Sequence, residues 1–366
     1  MIDSRQPCAL QIVHGYNEPF LSLTALYSRA LRHQGWRVVT VYLMGEYNKD
    51  VALKSCADDV IFFNASLAAM RGLKLLLIWK IRTLLRQHNV SLIIAQRYKS
   101  LYLGLLASIG LPIPVLGIAH AFGVLDNSSR QLLLRFFTKR LTLAGVSEAV
   151  MQDMQQKAQG IHCVALLNAI DSVTLEPQLK NRATARALLG LANETFVFAN
   201  VGRLHADKDQ ITLIRAFALI SHDYPATQLL LIGQGKCEAQ YRALIASLQL
   251  ENRIVLTGSL PDAATFFRAF DVYVSASDKE PFGIVLAEAM LAHLPVISTH
   301  CGGAPEVLGE HAHYFSSGDS VALAAQMTTL LNTTAEQRQQ QGELLYQRLH
   351  EHFSFPTFAH RLHHVI

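Results

Sequence analysis

The sequence predicts an α/β protein of two doubly wound parallel domains in tandem. Three observations predict it. The 366 residues exceed one ordinary core and suit two domains of roughly 150 to 200 residues. Unbroken apolar runs alternate with helical patterns along the whole chain, and parallel neighbours need such crossover helices. Charged residues make up only 16% against 51% hydrophobic, as expected when strands are buried on both faces.

In order, strands are expected near Leu10–Val13, Val38–Leu43, Val60–Phe63, Leu92–Ala95, Val115–Ala119 and Leu141–Ala144, with helices over Leu21–Gln34 and Leu67–Gln87. The stretch Ser100–Leu125 lacks Lys, Arg, Asp and Glu, but Gly110, Pro112, Pro114 and Gly117 break it. It reads as a helix, a turn and a buried strand rather than a membrane span. The polar, weakly patterned Asp171–Arg186 reads as a linker. A second set of strands then follows near Phe196–Asn200, Gln228–Ile232, Ile254–Leu256, Val272–Val274 and Pro295–Ser298, separated by helices such as Ile211–Ile220 and Gln240–Leu248. The expected organisation is 1–170, 171–350 and a final helix in 351–366 that returns to the first domain, with the two domains facing each other across a cleft.

The net charge of +4 hides an asymmetry, since residues 1–170 carry 18 Lys and Arg against 9 acids and the remainder 14 against 19. A basic first half can meet phosphates, nucleic acid or an anionic membrane, or it can be a solvated face. Without a recognition module, nucleic acid is not expected as a partner. The five cysteines at 8, 56, 163, 237 and 301 are odd in number and scattered, which argues for a reducing compartment and against structural zinc. Asp3, Arg5 and Pro7 leave no apolar core for a signal peptide, so a cytoplasmic location is expected.

Ligands of such sheets bind beyond the carboxyl ends of the strands, which selects the residues that matter. After the first strand comes His14-Gly15-Tyr16-Asn17-Glu18-Pro19, where Gly15 permits close backbone approach before a helix N-terminus. It lacks the glycines of a dinucleotide fingerprint, and a plain turn explains it equally well. After Phe196–Asn200, Gly202-Arg203-Leu204-His205-Ala206-Asp207-Lys208 puts two cations on a glycine turn before a helix, either a receptor for a pyrophosphate or a solvated pair with the arginine on a neighbouring carbonyl. Arg grips two oxygens, whereas Lys supplies a point charge. Further on, Glu280-Pro281-Phe282-Gly283-Ile284-Val285-Leu286-Ala287-Glu288 opens another helix. Amides of Gly283, Ile284 and Val285 fall in its first turn, and a carboxylate such as Glu288 accepts hydrogen bonds from a vicinal diol.

Three motifs in this order, Gly202–Lys208, Glu280–Glu288 and Gly302-Gly303-Ala304-Pro305-Glu306, make the chain resemble glycosyltransferase family 4, a large group of retaining GT-B enzymes. The GT-B fold is two Rossmann-like doubly wound domains. Weaker agreements lie at Val146-Ser147-Glu148, Asn168-Ala169-Ile170-Asp171, Leu231–Gly235 and Leu256–Leu260. The match is good over about 140–320 and rests on layout before that.

The resemblance implies that Arg203 and Lys208 hold the diphosphate of a nucleotide-sugar donor, Glu280 the transferred sugar and Glu288 the ribose. It places Gly15 and Gly258 at the donor, Leu260 near the base, Gly283, Ile284 and Val285 on sugar and phosphate, and His120 beside the sugar. It also implies a retained anomeric configuration, no metal and no cofactor, a UDP-hexose donor, and a glycan or glycolipid acceptor of bacterial lipopolysaccharide or surface polysaccharide. Two departures stand out: Tyr16 occupies a place where such enzymes often carry a second glycine, and Ala169 replaces a glycine. On the expected helix Leu67–Gln87, Arg71, Lys74, Arg82 and Arg86 share one side, either to dock on an anionic membrane as a peripheral protein or as a solvated face. The rival classes are a nucleotide-sugar epimerase of the same fold and a non-catalytic nucleotide-sugar-binding protein.

Overall fold

The computed structural model describes residues 6–366, so Asp3 and Arg5 lie outside the described residues. The chain forms two compact units: one runs up to Ala169 and includes Phe355–Ile366, the other is Ile170–Ser354.

The first unit holds β1 (Cys8–Val13), β2 (Arg37–Tyr42), β3 (Asp59–Phe62), β4 (Val90–Gln96), β5 (Val115–Ala119), β6 (Leu141–Gly145) and β7 (His162–Ala165). They form one sheet in the order β3-β2-β1-β4-β5-β6-β7, with every pair parallel. The order reverses between β1 and β4, so the first unit's crevice opens at the carboxyl ends of these strands. Inside the sheet, Gln11 of β1 donates from Nε2 to Thr24 O and the hydroxyls of Ser28 and Thr40, and Gln96 of β4 donates to Gln11 Oε1 at 2.9 Å. The final helix Phe355–Val365 packs on the helix Phe20–His33. There Phe358 meets Tyr27 edge-on at 4.9 Å, and Gln34 donates to Ala359 O at 2.7 Å.

The second unit holds β8 (Phe196–Val201), β9 (Thr227–Ile232), β10 (Ile254–Gly258), β11 (Val272–Ser275), β12 (Val296–Thr299) and β13 (His313–Phe315), in the order β10-β9-β8-β11-β12-β13. These pairs are parallel too, and the order reverses between β8 and β11. Both sheets are therefore the doubly wound parallel kind that the apolar runs predict. The edge strands β7 and β13 have no counterpart in the sequence reading. Each is short and half-exposed, so neither shows an unbroken apolar run.

Two expectations change. The helix expected from Leu67 begins only at Leu75, because Gly72 and Lys74 sit in the left-handed region at φ of 59° and 57°. Arg71 and Lys74 thus precede the helix. Arg82 turns inward, donating to the carbonyls of Ala107 and Ile109 at 2.9 and 2.8 Å, so no four-cation stripe forms. The segment read as a linker is structured: it carries the helix Ser172–Leu175 and the start of the helix Arg182–Leu189.

Arg186 is the key to that segment. Its side chain is 1% exposed, and its guanidinium donates to the carbonyls of Ala269, Ala192, Asn193 and Thr195 and to the Asp271 carboxylate at 2.8 Å. A buried cation survives there because nearly every donor has an acceptor. Replacing it with methionine takes a charged donor from four carbonyls and leaves Asp271 with Arg182 and the Val197 amide, so Arg186→Met should lower unfolding stability by about 3–5 kcal/mol in urea titration. A change below about 1 kcal/mol would mean that water replaces the guanidinium.

Candidate functional site

In the second unit, the site residues are gathered by close backbone approach at the carboxyl ends of β8 to β11. Gly202 N donates to Ile232 O, Leu204 N to Gln234 O, Cys237 N to Leu204 O and Gly233 N to Gly258 O, at 2.8–3.1 Å. Gly233 has φ of 140°, and a Cβ on it would lie 1.9 Å from Gly202 O. One on Gly235 would lie 2.2 Å from Leu204 O. The glycines let the loops after β8, β9 and β10 lie against one another. Buried Leu204 anchors the first of them, while Gln210 donates to Asn200 Oδ1 and Arg203 O and accepts from the Tyr241 hydroxyl.

Arg203 and Lys208 leave this loop differently. Arg203 keeps 71% of its side chain exposed and pairs with Asp207 at 3.3 Å, whose other carboxylate oxygen contacts His205 Nδ1 at 2.6 Å. Lys208 reaches across to the loop after β11 and pairs with Glu280 Oε2 at 2.6 Å, where the two side chains are only 22% and 12% exposed. Ser277 donates to the same oxygen at 3.2 Å, and Gly303 N donates to Glu280 O at 2.8 Å. The third motif therefore holds the backbone of the second.

Gly283, at φ 86°, caps the helix Ile284–Leu291, which has no side-chain N-cap. The first-turn amides of Ile284 and Val285 stand at its positive end. Glu288 lies one turn further along the half-buried face that Ile284 shares. The Tyr273 phenol is pushed upward by burial first, then by the negative charges of Glu280 and Glu288, which places both carboxylates near one ring. Gly258, at φ 73°, ends β10, and half-buried Leu260 follows. Arg203, Lys208, Gly258, Leu260, Glu280, Gly283, Ile284, Val285 and Glu288 thus all lie on loops or a helix start at one end of one sheet.

A cavity of about 450 Å³ opens at the carboxyl ends of β12 and β13, lined by Thr299, Cys301, Tyr314 and Ser316 among others. A second, of about 550 Å³, lies by Asp271 and Pro295 at the amino ends of β11 and β12. Neither contains the cations or carboxylates above. Among the described residues, no cluster of three or more His, Cys, Asp or Glu is placed to hold a metal ion.

In the first unit, Gly15 follows β1, and a Cβ there would meet nothing closer than Met44 O at 4.0 Å, so packing does not require glycine. Tyr16 turns aside onto Tyr42 and Phe62, with its hydroxyl donating to Glu46 O. His120 follows β5, with its ring edge-on to Phe20 at 5.4 Å and its buried Nε2 without a partner. Two residues missed by the motif search belong beside it. Arg97 stacks over Phe20 at 3.6 Å and is held at φ 71°, a conformation that costs a non-glycine residue energy. His14 has a buried, unpartnered Nδ1, and its pKa is lowered by burial, then by Lys99 and Arg97. No sequence motif marks Arg97, although its place after a central strand does.

Solved structures now place the fold. A glycosyltransferase from Rickettsia africae superposes with a TM-score of 0.84 over 99% of this chain and 98% of that one, at 17% identity. The Anabaena protein HepE, in complex with UDP and glucose, does so with a TM-score of 0.78 over 98% of each chain, at 22% identity. The architecture is thus GT-B, two Rossmann-like units in one chain. Residues 181–348 match the family model for glycosyl transferases group 1. N-acetyl-alpha-D-glucosaminyl L-malate synthase of Bacillus anthracis is 30% identical over 166 residues, 45% of this chain and 43% of that protein, so the match spans less than half of the relative. The matched residues 181–348 lie within the second unit.

Two predictions follow from the geometry. Gly233→Ala should destabilise by about 1–2 kcal/mol or more, from its backbone angle and the clash with Gly202 O, whereas Gly202→Ala, whose Cβ would meet nothing within 4 Å, should stay within about 0.5 kcal/mol. Equal effects in chemical denaturation would remove the close approach as the reason for glycine. The second concerns His120, whose pKa falls from its ordinary 6.5 to about 3 through burial first and Arg97 second. The unfolded chain takes up this proton below pH 6.5, the folded chain only near 3. Its contribution to stability is therefore complete above 6.5 and is lost as pH falls through that window. Urea midpoints should fall with acidification, and less steeply in His120→Gln.

Proposed function

We propose that the chain is a retaining glycosyltransferase moving a hexose from a nucleotide diphosphate, UDP in the first instance, to a glycan or glycolipid acceptor. The observation that carries this reading is the Lys208–Glu280 pair at 2.6 Å, which sets a cation and a carboxylate beside a helix N-terminus that has no side-chain cap. A sugar diphosphate needs those three things: positive charge and free amides for its phosphates, and an acceptor for its hydroxyls.

Breaking the bond between sugar and phosphate leaves negative charge on the diphosphate. Arg203 exchanges Asp207 for phosphate oxygens, an inexpensive exchange for a side chain that is already mostly in water. Lys208 lies on the more enclosed side and stabilises the leaving group at a fixed position. Glu280 accepts hydrogen bonds from the sugar, Glu288 from the ribose, and the amides of Gly283, Ile284 and Val285 serve sugar and phosphate. Gly258 and Leu260 sit beside the nucleotide. In the first unit, Gly15 serves the donor, and His120 is assigned a hydrogen bond to the sugar, for which its neutral imidazole keeps a donor and an acceptor. The charge comes from the protein, so no metal or cofactor is invoked, and the departing phosphate takes the acceptor's proton.

Support for a uridine donor is the fold shared with HepE, which was captured with UDP and glucose. An acceptor in bacterial surface polysaccharide or lipopolysaccharide rests on the family resemblance. Thermal-shift titration with a panel of nucleotide sugars, followed by transfer assays with and without EDTA, tests the reading. Arg203→Ala and Lys208→Ala should each cost about 3 kcal/mol of transition-state stabilisation, roughly a hundredfold or more in kcat. Turnover near the native rate in both variants would remove the assignment. Interconversion of the donor sugar without transfer would instead identify an epimerase, and donor binding with neither reaction a non-catalytic binding protein.

A further inference from the structure

We propose that the first unit docks on an anionic lipid bilayer through the segment from Leu67 to Trp79, independently of the donor site. Exposed large apolar side chains concentrate there: Leu67, Leu73 and Leu75 are each 69% exposed, Leu76 62% and Trp79 63%. Single exposed leucines are ordinary, but five large apolar side chains within thirteen residues form a patch.

The helix Leu75–Gln87 explains why they stay outside. Its inner row, Leu77, Ile81 and Leu85, recurs every four residues and is buried. Leu75 and Trp79 are likewise four apart but on the outward face, with exposed Arg86 seven residues further along the same side. The turns before the helix add Leu67 and Leu73 to the apolar surface and Arg71 to its charge.

Charge decides the occupant. From Val60 to Leu125 the chain carries seven Lys and Arg and no Asp or Glu. Lys74 lies over the Tyr102 ring and Lys80 over Phe63, both at the rim of the patch. An apolar surface with an exposed tryptophan and a cationic border suits the headgroup region of an anionic bilayer, where the rings and leucines enter and the ammonium and guanidinium groups meet phosphates. Among the described residues no helix is long and apolar enough to cross a membrane.

The chain has two tryptophans, so a Trp36→Phe variant makes fluorescence report on Trp79 alone. With phosphatidylcholine vesicles containing phosphatidylglycerol, emission should shift to the blue and the protein should sediment with the vesicles. Pure phosphatidylcholine or high salt should weaken both. Each basic group near such a surface is worth roughly fivefold in affinity, so Arg71→Gln, Lys74→Gln and Arg86→Gln together should cost roughly a hundredfold. Leu75→Ser with Leu76→Ser, both at exposed positions, should cost about tenfold with unchanged circular dichroism. A folded protein that shows no blue shift on anionic vesicles at low salt overturns the proposal. So does a dimer in lipid-free solution that the two serine substitutions dissociate, since that would make a second copy the occupant.

Discussion

The second unit depends on one steric constraint: Gly233 and Gly235 lie against the backbone of Gly202 and Leu204 more closely than a side chain on either glycine would allow. The loop carrying Arg203 and Lys208 is therefore fixed by main-chain hydrogen bonds and not by its cations. This frees the cations for a ligand. Arg203 remains in water, held only by a weak pair with Asp207, while Lys208 is directed into a half-enclosed contact with Glu280.

The first unit solves a different problem. Its carboxyl-end residues are ordered by side-chain packing: the Arg97 guanidinium lies on Phe20, and Phe20 meets His120. Desolvation beside a cation makes protonation of His120 and His14 unfavourable, so both present neutral imidazoles. Each keeps one ring nitrogen buried without a partner. Unsatisfied buried polar atoms beside a residue with a strained backbone, as at Arg97, are where a packed protein departs from its own stability.

Much of the second unit was legible because its signals are local. The run from Gly202 to Lys208 is one turn, and Glu280 and Glu288 flank one helix start, so a short window of sequence contains the whole geometry. The strands of both sheets announced themselves as apolar runs, because an interior parallel strand has no wet face. The half-exposed edge strands β7 and β13 gave no such run. Leu67–Lys74 misled in the opposite way: its composition continues that of the helix after it, and only the left-handed angles at Gly72 and Lys74 separate the two. Asp171–Arg186 read as a linker because arginine scores as polar, whereas Arg186 is buried among the carbonyls of Ala192, Asn193 and Thr195 just downstream and of the distant Ala269.

The sequence by itself determined the two α/β sets, the order of the cation and carboxylate motifs, and the identity of the groups that bear charge, since all of these follow from residue type and short spacing. Only the tertiary structure decided which charges meet. Lys208 finds Glu280 across 72 positions of sequence, Arg97 comes to lie beside His120 through Phe20, and Arg82 turns inward while Trp79 stays outside. Pairings of that range are set by strand order and by which surfaces can be buried together, and neither is written in any single window of the chain.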